Sequence, residues 1–226
     1  TLDNKLEQLG KDIAPIVFGT QQHREGYPLG GYWTQQIVSY NDANNDHVLT
    51  RSEINVTDTM AYRGPVLPTF ELSLTPTLTV RRNLRMSALF QRRGGNYVYN
   101  QTEEFRCTTS AFSNCRAVND PTASLEDQAA VISYLKSFSH WGFIQKGDFT
   151  RLRELSASYA LPTLVANRLG FRDASVTLAG RNLAKWTNYK GFDPEINSQQ
   201  NANFSVSDFL TQAPFRQFVA RIDVTF

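Results

Sequence analysis

The sequence is short of net charge, of cysteine and of long apolar runs, and each shortage removes a class of protein. Its 23 Lys and Arg against 21 Asp and Glu leave a net charge of +2. The basic pairs Arg81-Arg82 and Arg92-Arg93 stand alone, so no basic face tracks a phosphate backbone and nucleic acid is not an expected partner. No apolar stretch approaches the ~18 residues of a membrane helix, and mean hydropathy is negative. That excludes helical spans and leaves barrels open, because barrel strands place only every second residue in lipid. Cys107 and Cys115 are the only cysteines, close together in a Ser/Thr/Asn-rich stretch. They suit a small disulfide loop in an oxidising compartment, or remain two thiols.

Catalytic signatures are missing as well. His23, His47 and His140 stand in separate segments without the spacing of a helical metal site, and neither G-x-S-x-G nor a phosphate-cradling loop occurs. Asp193 and Glu195 share an aromatic loop, Tyr189-Lys190-Gly191-Phe192-Asp193-Pro194-Glu195. Asp-Pro is a turn element, however, and nothing beside it would raise a carboxyl pKa as sugar hydrolysis requires. The chain reads as a non-enzyme. It begins at Thr1 without an initiator Met, a basic n-region or an apolar h-region, so any signal peptide is expected to lie outside this sequence.

What is present is alternation. In residues 216–226, Phe218, Ala220, Ile222, Val224 and Phe226 point one way while Gln217, Arg221, Asp223 and Thr225 point the other, with Val219 out of place. This is the period of a strand whose two faces meet different surroundings. An aromatic last residue that completes the apolar row predicts an end held in a sheet rather than frayed. Four more strands follow the same rule. Phe70, Leu72, Leu74, Leu78 and Val80 alternate with Glu71, Ser73, Thr75, Thr77 and Thr79, and Pro76 is tolerated best at an edge or bulge. Arg81-Arg82-Asn83 turns the chain into Leu84, Met86, Ala88 and Phe90, completing a hairpin. Residues 154–161 and 175–180 supply two further strands.

Between strands the text is loop punctuation. Residues 10–67 read as an irregular connection, residues 96–146 as a second and residues 184–214 as a third. Ser124 followed by Glu126 and Asp127 predicts an N-cap and one short helix over residues 125–136. Connections therefore alternate long, short, long, short, long, the parity of an outer-membrane barrel with short periplasmic turns and long extracellular loops. Residues 81–83 and 162–174 fall on the periplasmic side, with the chain end beside them, and both cysteines fall outside. Parity asks for a sixth strand in residues 1–9, whereas Leu2, Leu6 and Leu9 have the spacing of an amphipathic helix. The predicted fold class is all-β, the last strands of a transmembrane antiparallel barrel.

Two constellations suggest ligands. Asp42, Asn44, Asp46, the Val48 carbonyl, Thr50 and Glu53 occupy the offsets 1, 3, 5, 7, 9 and 12 of a calcium loop, with His47 where glycine normally makes the sharp turn. The same residues would also make an Asx-rich turn bonded to its own backbone. Tyr97, Tyr99, Phe105, Phe138, Trp141, Phe143, Trp186 and Tyr189 fall near strand ends or in outer loops. They read as an interfacial girdle, with stacking on a sugar ring as the other use. Arg153, Glu154, Arg181, Arg221 and Asp223 would line a lumen.

A family resemblance joins these pieces. Gly147-Asp148-Phe149-Thr150-Arg151-Leu152-Arg153 leading to Ser158-Tyr159-Ala160-Leu161-Pro162 resembles a stretch near the end of SusC/RagA-type TonB-dependent outer-membrane transporters. Gly180-Arg181-Asn182-Leu183, then Tyr189, Gly191, Asp193, Pro194 and Glu195, then the terminal Phe226, continue the likeness in order, and Glu25-Gly26-Tyr27-Pro28-Leu29-Gly30 and Gly64-Pro65-Val66-Leu67-Pro68 extend it upstream. The resemblance implies a plugged barrel of about 22 strands, energised by the TonB complex, importing glycans or peptides captured with a SusD-like surface lipoprotein. It implies that residues 1–226 are the carboxy-terminal portion of such a receptor, without the plug, TonB box and earlier strands, embedded in outer-membrane lipid. It also implies that Phe226 is a signal read by the barrel-assembly machinery. A siderophore receptor or porin, and a soluble β-rich carbohydrate-binding domain, are the competing expectations.

Overall fold

The computed structural model describes residues 4–10, 13–109, 114–199 and 206–226. The chain runs β1 (Ile16–Phe18), β2 (Gln21–His23), β3 (Gly31–Tyr40), a 3-10 turn (Arg51–Glu53), β4 (Ile54–Gly64), β5 (Phe70–Leu74), β6 (Thr77–Val80), β7 (Leu84–Gly94), β8 (Tyr97–Tyr99), α1 (Gln101–Thr108), α2 (Arg116–Asn119), α3 (Leu125–Ser137), β9 (Ile144–Lys146), β10 (Phe149–Ala160), α4 (Thr163–Arg168), β11 (Asp173–Thr187) and β12 (Gln217–Thr225). No described helix is long and apolar enough to cross a membrane, which says nothing of strands. The chain divides into two compact units.

The second unit comprises Glu71–Arg93, Phe149–Thr187 and Pro214–Phe226. Its strands form one open sheet in the order β12-β11-β10-β7-β5, and β6 also pairs with β7. The strand expected over residues 70–80 is thus split at Pro76 into two pieces on one edge, because proline has no N–H to give the ladder. Register sorts the side chains. Leu78, Met86, Ala157, Leu178 and Ala220 make one cross-strand row, and Val80, Leu84, Tyr159, Val176 and Ile222 the next on the same face. On the opposite face the intervening row is Thr79, Arg85, Ser158, Thr177 and Arg221.

Arg81 and Arg82 turn the hairpin with φ of 50° and 65°, the left-handed pair a tight turn demands. The Asn83 amide donates to the Ala160 carbonyl at 2.9 Å, tying that turn to β10. The chain end is held as well: the Phe226 ring packs edge-on against Phe171 at 5.5 Å, and the Arg172 N–H donates to the Thr225 carbonyl.

The first unit comprises Thr1–Phe70, Gly94–Asp148 and Asn188–Ala213, and it corrects the sequence reading most. Residues 10–67 are not an irregular loop. β1 to β4 form an antiparallel sheet in sequence order, led by the long β3–β4 hairpin. Strict alternation is absent there because Gly31, Tyr32, Trp33 and Thr34 are all buried, so both faces of the strand start are covered. Residues 4–10 form neither the helix nor the sixth strand expected of residues 1–9; Leu6 exchanges backbone bonds with Gly26 and Tyr27. Residues 1–3 lie outside the described residues.

The one expected helix is found as α3, with Ser124 Oγ accepting from the Asp127 N–H at 3.2 Å. Among the described residues three other α-helices accompany it. α1 starts where the Asn100 side chain accepts from the Glu103 N–H, the short α2 follows Cys115, and α4 occupies the connection before β11. The core of this unit gathers Tyr32, Val66, Tyr99, Cys107, Cys115, Val131, Phe143 and Ile144.

Candidate functional site

The lipid-facing candidates and the polar candidates occupy the two faces of the second unit. Phe218 is 78% exposed, Ile222 72% and Phe226 87%, and Leu72, Leu74 and Leu178 are exposed on the same unit. Among the described apolar side chains of this unit only Phe149 and Ala166 are buried. Burying one such Leu, Ile or Phe gains roughly 1.5–3 kcal/mol, so a sheet with this face in water forgoes most of what holds sheets together. Its opposite face is polar and laced with hydrogen bonds. Ser87 and Ser156 share a 2.8 Å hydrogen bond, and Thr177 Oγ1 donates to Ser158 Oγ at 2.9 Å. Arg181 pairs with Glu154 at 2.9 Å, Arg153 Nε donates to Gln91 at 2.7 Å, and Arg221 pairs with Asp223 within β12. The residues read as lumen-lining thus share the polar surface of this unit.

Asn182, part of the family motif, sits at an irregularity in the ladder. Register slips between Leu152 and Glu154 against both neighbours of β10, two residues of β11 facing one of β10. Asn182 takes φ 53° there, a left-handed conformation that asparagine tolerates, and its amide donates to the Phe215 carbonyl at 3.0 Å. The motif asparagine therefore bends β11 and ties the approach to β12.

The rest of the motif loop lies in the first unit. Tyr189 is buried, and its hydroxyl donates to Asp208 Oδ2 at 2.9 Å. A Cβ on Gly191 would come within 2.4 Å of the Tyr189 ring, which is why glycine follows there. Asp193 is buried and accepts from the Glu195 N–H at 3.0 Å, the local turn role expected of Asp-Pro, with Pro194 between them. Lys190 reaches Asp127 at 2.5 Å and Glu126 at 4.0 Å. Burial pushes the Asp127 carboxyl up, but the Lys190 and Ser124 hydrogen bonds outweigh it and hold the group below its ordinary range.

The expected aromatic girdle does not hold together. Tyr99, Phe143 and Tyr189 are buried in the first unit, out of reach of any lipid. They are core because the long connections carry a packed interior of their own. Trp141 instead lies under the Arg63 guanidinium at 4.3 Å, and Tyr97 lies 5.2 Å from the same group. Phe105 packs on Phe209, whereas Phe138 and Trp186 are exposed. Cys107 and Cys115 form a disulfide, with Cα atoms 5.0 Å apart, that clips α1 to the start of α2.

The tip of the β3–β4 hairpin carries residues 42–53. Asp42 accepts from the Asp46 and His47 N–H groups, Asp46 from the Val48 N–H, and Glu53 from the Ala43 and Thr50 N–H groups. Hydrogen bonds from Thr50 hold the Glu53 carboxyl below its ordinary range. His47 takes φ 61°, meeting the backbone demand of the sixth loop position. Asn44 bonds Asp46, and Gln128 of α3 donates to the His47 carbonyl and accepts from the Leu49 N–H. Among the described residues, three potential ligand atoms converge within 4.8 Å at Glu103, Cys107 and Cys115, where the sulfurs are already bonded to each other, and not at this tip.

Sequence reading missed Asn100, Asp208, Arg63 and Gln128. Each is a single polar residue with no motif around it, Arg63 near the end of β4 and the others in loops or a helix, and becomes notable only through partners distant in sequence.

An open antiparallel sheet with an apolar exposed face and a polar opposite face, in a chain whose long connections fold on their own core, has the pattern of a stretch of barrel wall. Comparison with known proteins agrees. The chain is 27% identical over 187 residues to TonB-dependent receptor P26 of Formosa agariphila, covering 78% of this chain and 18% of that protein. It is 28% identical over 153 residues to TonB-dependent receptor P3 of the same organism, covering 67% of this chain and 15% of that protein. Among solved structures, the RagAB peptide importer in its closed-closed state matches with a TM-score of 0.71 at 18% identity, over 96% of this chain and 25% of that one. The structure described as the RagAB peptide transporter matches with a TM-score of 0.72 at 17% identity, over the same shares. No protein-family profile matches the sequence. The chain thus spans less than a fifth of the curated relatives it matches. The sequence is thus similar to part of TonB-dependent receptors, and the fold to part of the RagAB structures, as the family motifs led one to expect.

Proposed function

We propose that this chain supplies closing strands and outer loops of a SusC-type importer in the bacterial outer membrane, energised through TonB and taking up glycans or peptides. One observation carries the reading. Apolar rows run unbroken across five strand segments while the rows between them are hydroxyl-rich and charged, the pattern that lipid outside and water inside impose. Loop length supports the orientation: the short 81–83 turn and the end of β12 face the periplasm, and the long connections face outward. Such a receptor would work with a SusD-like lipoprotein and be inserted by the barrel-assembly machinery, with Phe226 as its recognition mark. The remaining strands and a plug come from the rest of the receptor chain.

The test uses nitroxide labels at Phe218→Cys and Ile222→Cys, and at Arg221→Cys on the other face, in the full receptor in lipid bilayers. Labels at 218 and 222 are expected to relax with lipid-soluble oxygen, and the label at 221 with a water-soluble nickel chelate. Shielding of 218 and 222 from oxygen, as a packed soluble core would produce, ends the reading.

We also propose calcium as a ligand of the β3–β4 tip. Support comes from the left-handed His47 and from the Asp42, Asp46 and Glu53 carboxylates grouped on one turn; the hydrogen bonds these groups already accept are what an ion would have to displace. Titration calorimetry of calcium into the full receptor, compared with the Asp42→Ala/Glu53→Ala variant, decides it. Equal heats remove the ion.

A further inference from the structure

The exposed apolar surface of the second unit does not stop at the sheet. It continues onto α4, in the connection between β10 and β11. Leu164 is 79% exposed, Leu169 59% and Val165 44%, while Ala166 is fully buried. Phe171, two residues past Leu169, packs edge-on against Phe226, the last member of the apolar row of β12. A helix this short gains little from its own hydrogen bonds, so three uncovered aliphatic side chains beside an apolar sheet face call for a partner.

Charge and depth select that partner. Arg168 follows Leu164 by four residues and shares its side of α4. Arg172 extends the β11 ladder by one rung, through its N–H bond to the Thr225 carbonyl. Arg81 and Arg82 turn the β6–β7 hairpin at the same end of the sheet, tied to β10 by Asn83. All four arginines are exposed, and among the described residues none of them has an ion-pair partner. Residues 161–172 contain no acidic side chain, and Asp173 is the first beyond them. The apolar row of β12 from Phe218 to Phe226 descends about 20 Å at the tilt of barrel strands, most of the ~25 Å apolar band. Arg172, level with Phe226, therefore stands at the lower edge of that band, where lipid phosphates begin. Aliphatic side chains in the acyl boundary, with arginines snorkelling to the headgroups, are how an interfacial helix holds a membrane. We propose that α4 is an interfacial anchor: Leu164, Val165 and Leu169 enter the periplasmic leaflet, and Arg168 and Arg172, with Arg81 and Arg82 beside them, bind the phosphates of its glycerophospholipids. The proposal rests on the barrel reading and its orientation, and adds to them a lipid-binding site outside the strands.

The experiment uses the full receptor in vesicles of phosphatidylethanolamine and phosphatidylglycerol. Nitroxide labels go at Leu164→Cys and Leu169→Cys, at Thr163→Cys away from the apolar side chains, and at Ile222→Cys on the sheet. Labels at 164 and 169 are expected to relax with lipid-soluble oxygen, and the label at 163 with a water-soluble nickel chelate. Relaxation of 164 and 169 by the chelate puts the helix in water, and shielding from both reagents puts protein over it; either result overturns the anchor. Spin-labelled phosphatidylglycerol should associate about threefold more weakly with the Arg168→Gln/Arg172→Gln variant at low salt, with the difference gone at high salt. An unchanged preference overturns the role of the arginines. In intact outer membranes a benzophenone side chain at position 169 should cross-link to phospholipid, whereas a lipopolysaccharide adduct places this end in the outer leaflet and overturns the proposal. Oxygen access at 222 keeps the barrel reading standing through any of these failures, and its loss removes both.

Discussion

Leu178 and Thr177 are neighbours on β11 at one depth, and one arginine tells their faces apart. Leu178 stands in an apolar row between Ala157 and Ala220, and Thr177 in a polar row between Ser158 and Arg221. An arginine on the lipid side of a barrel costs about 2–4 kcal/mol near the bilayer midplane. Leu178→Arg is therefore expected to lower the folding equilibrium roughly 30- to 900-fold. Thr177→Arg enters water, where its cost is repulsion from Arg221 across the strand and from Arg85 along the row. Screened pairs of that kind amount to less than about 1 kcal/mol, and the cost should shrink as salt rises. Urea unfolding of the full receptor in lipid vesicles, at low and high salt, measures both. Equal losses for the two variants, or no loss for Leu178→Arg, would refute the assignment of faces.

Three further outcomes follow from particular contacts. Deleting Phe226 removes the ring packed on Phe171 and the expected assembly mark, and should lower the amount of receptor in the outer membrane; unchanged levels on quantitative blotting count against that role. Asn182→Val puts a β-branched residue in a left-handed conformation and deletes the bond to Phe215, an expected loss of about 2–3 kcal/mol, whereas Asn182→Gly should lose only the bond, about 1 kcal/mol. Equal shifts of the urea midpoint would show that φ is not what asparagine supplies there. The Asp127 carboxyl is held low, so its contribution is present above pH 3.8 and is lost as pH falls through the folded value. Lys190 is held high: burial lowers it, but the Asp127 bond outweighs burial, so its contribution is present below pH 10.5 and is lost as pH rises further. Both are half-exposed, so the pair is worth under about 1 kcal/mol. Lys190→Met should lower the thermal midpoint by a small constant amount between those limits, with the difference vanishing at either end.

Much of the second unit was legible because a strand's period of two is local. Phe218, Ile222 and Val224 declare a face within seven residues, and one face suffices when lipid lies on it. The α3 start was legible for the same reason, since Ser124 and Asp127 are three residues apart. The motif of Asn182, Tyr189 and Gly191 was visible too, although nothing near Asn182 announced that it bends a strand.

By itself the sequence determined which residues of the last strands alternate, where the chain turns, and the family those blocks resemble. Only the tertiary structure decided that residues 31–64 form a hairpin, because Tyr32, bonded to Tyr99 and Val206, and Trp33, packed between Tyr27 and Tyr62, are both buried and show no alternation. It alone moved Tyr99, Phe143 and Tyr189 from a membrane girdle into a core. It alone set the α4 connection beside the chain end, through the Phe171 contact with Phe226 and the Arg172 N–H bond to the Thr225 carbonyl. Periodicity reports which side of an element is apolar; what that side meets depends on long-range pairing, which no local pattern encodes.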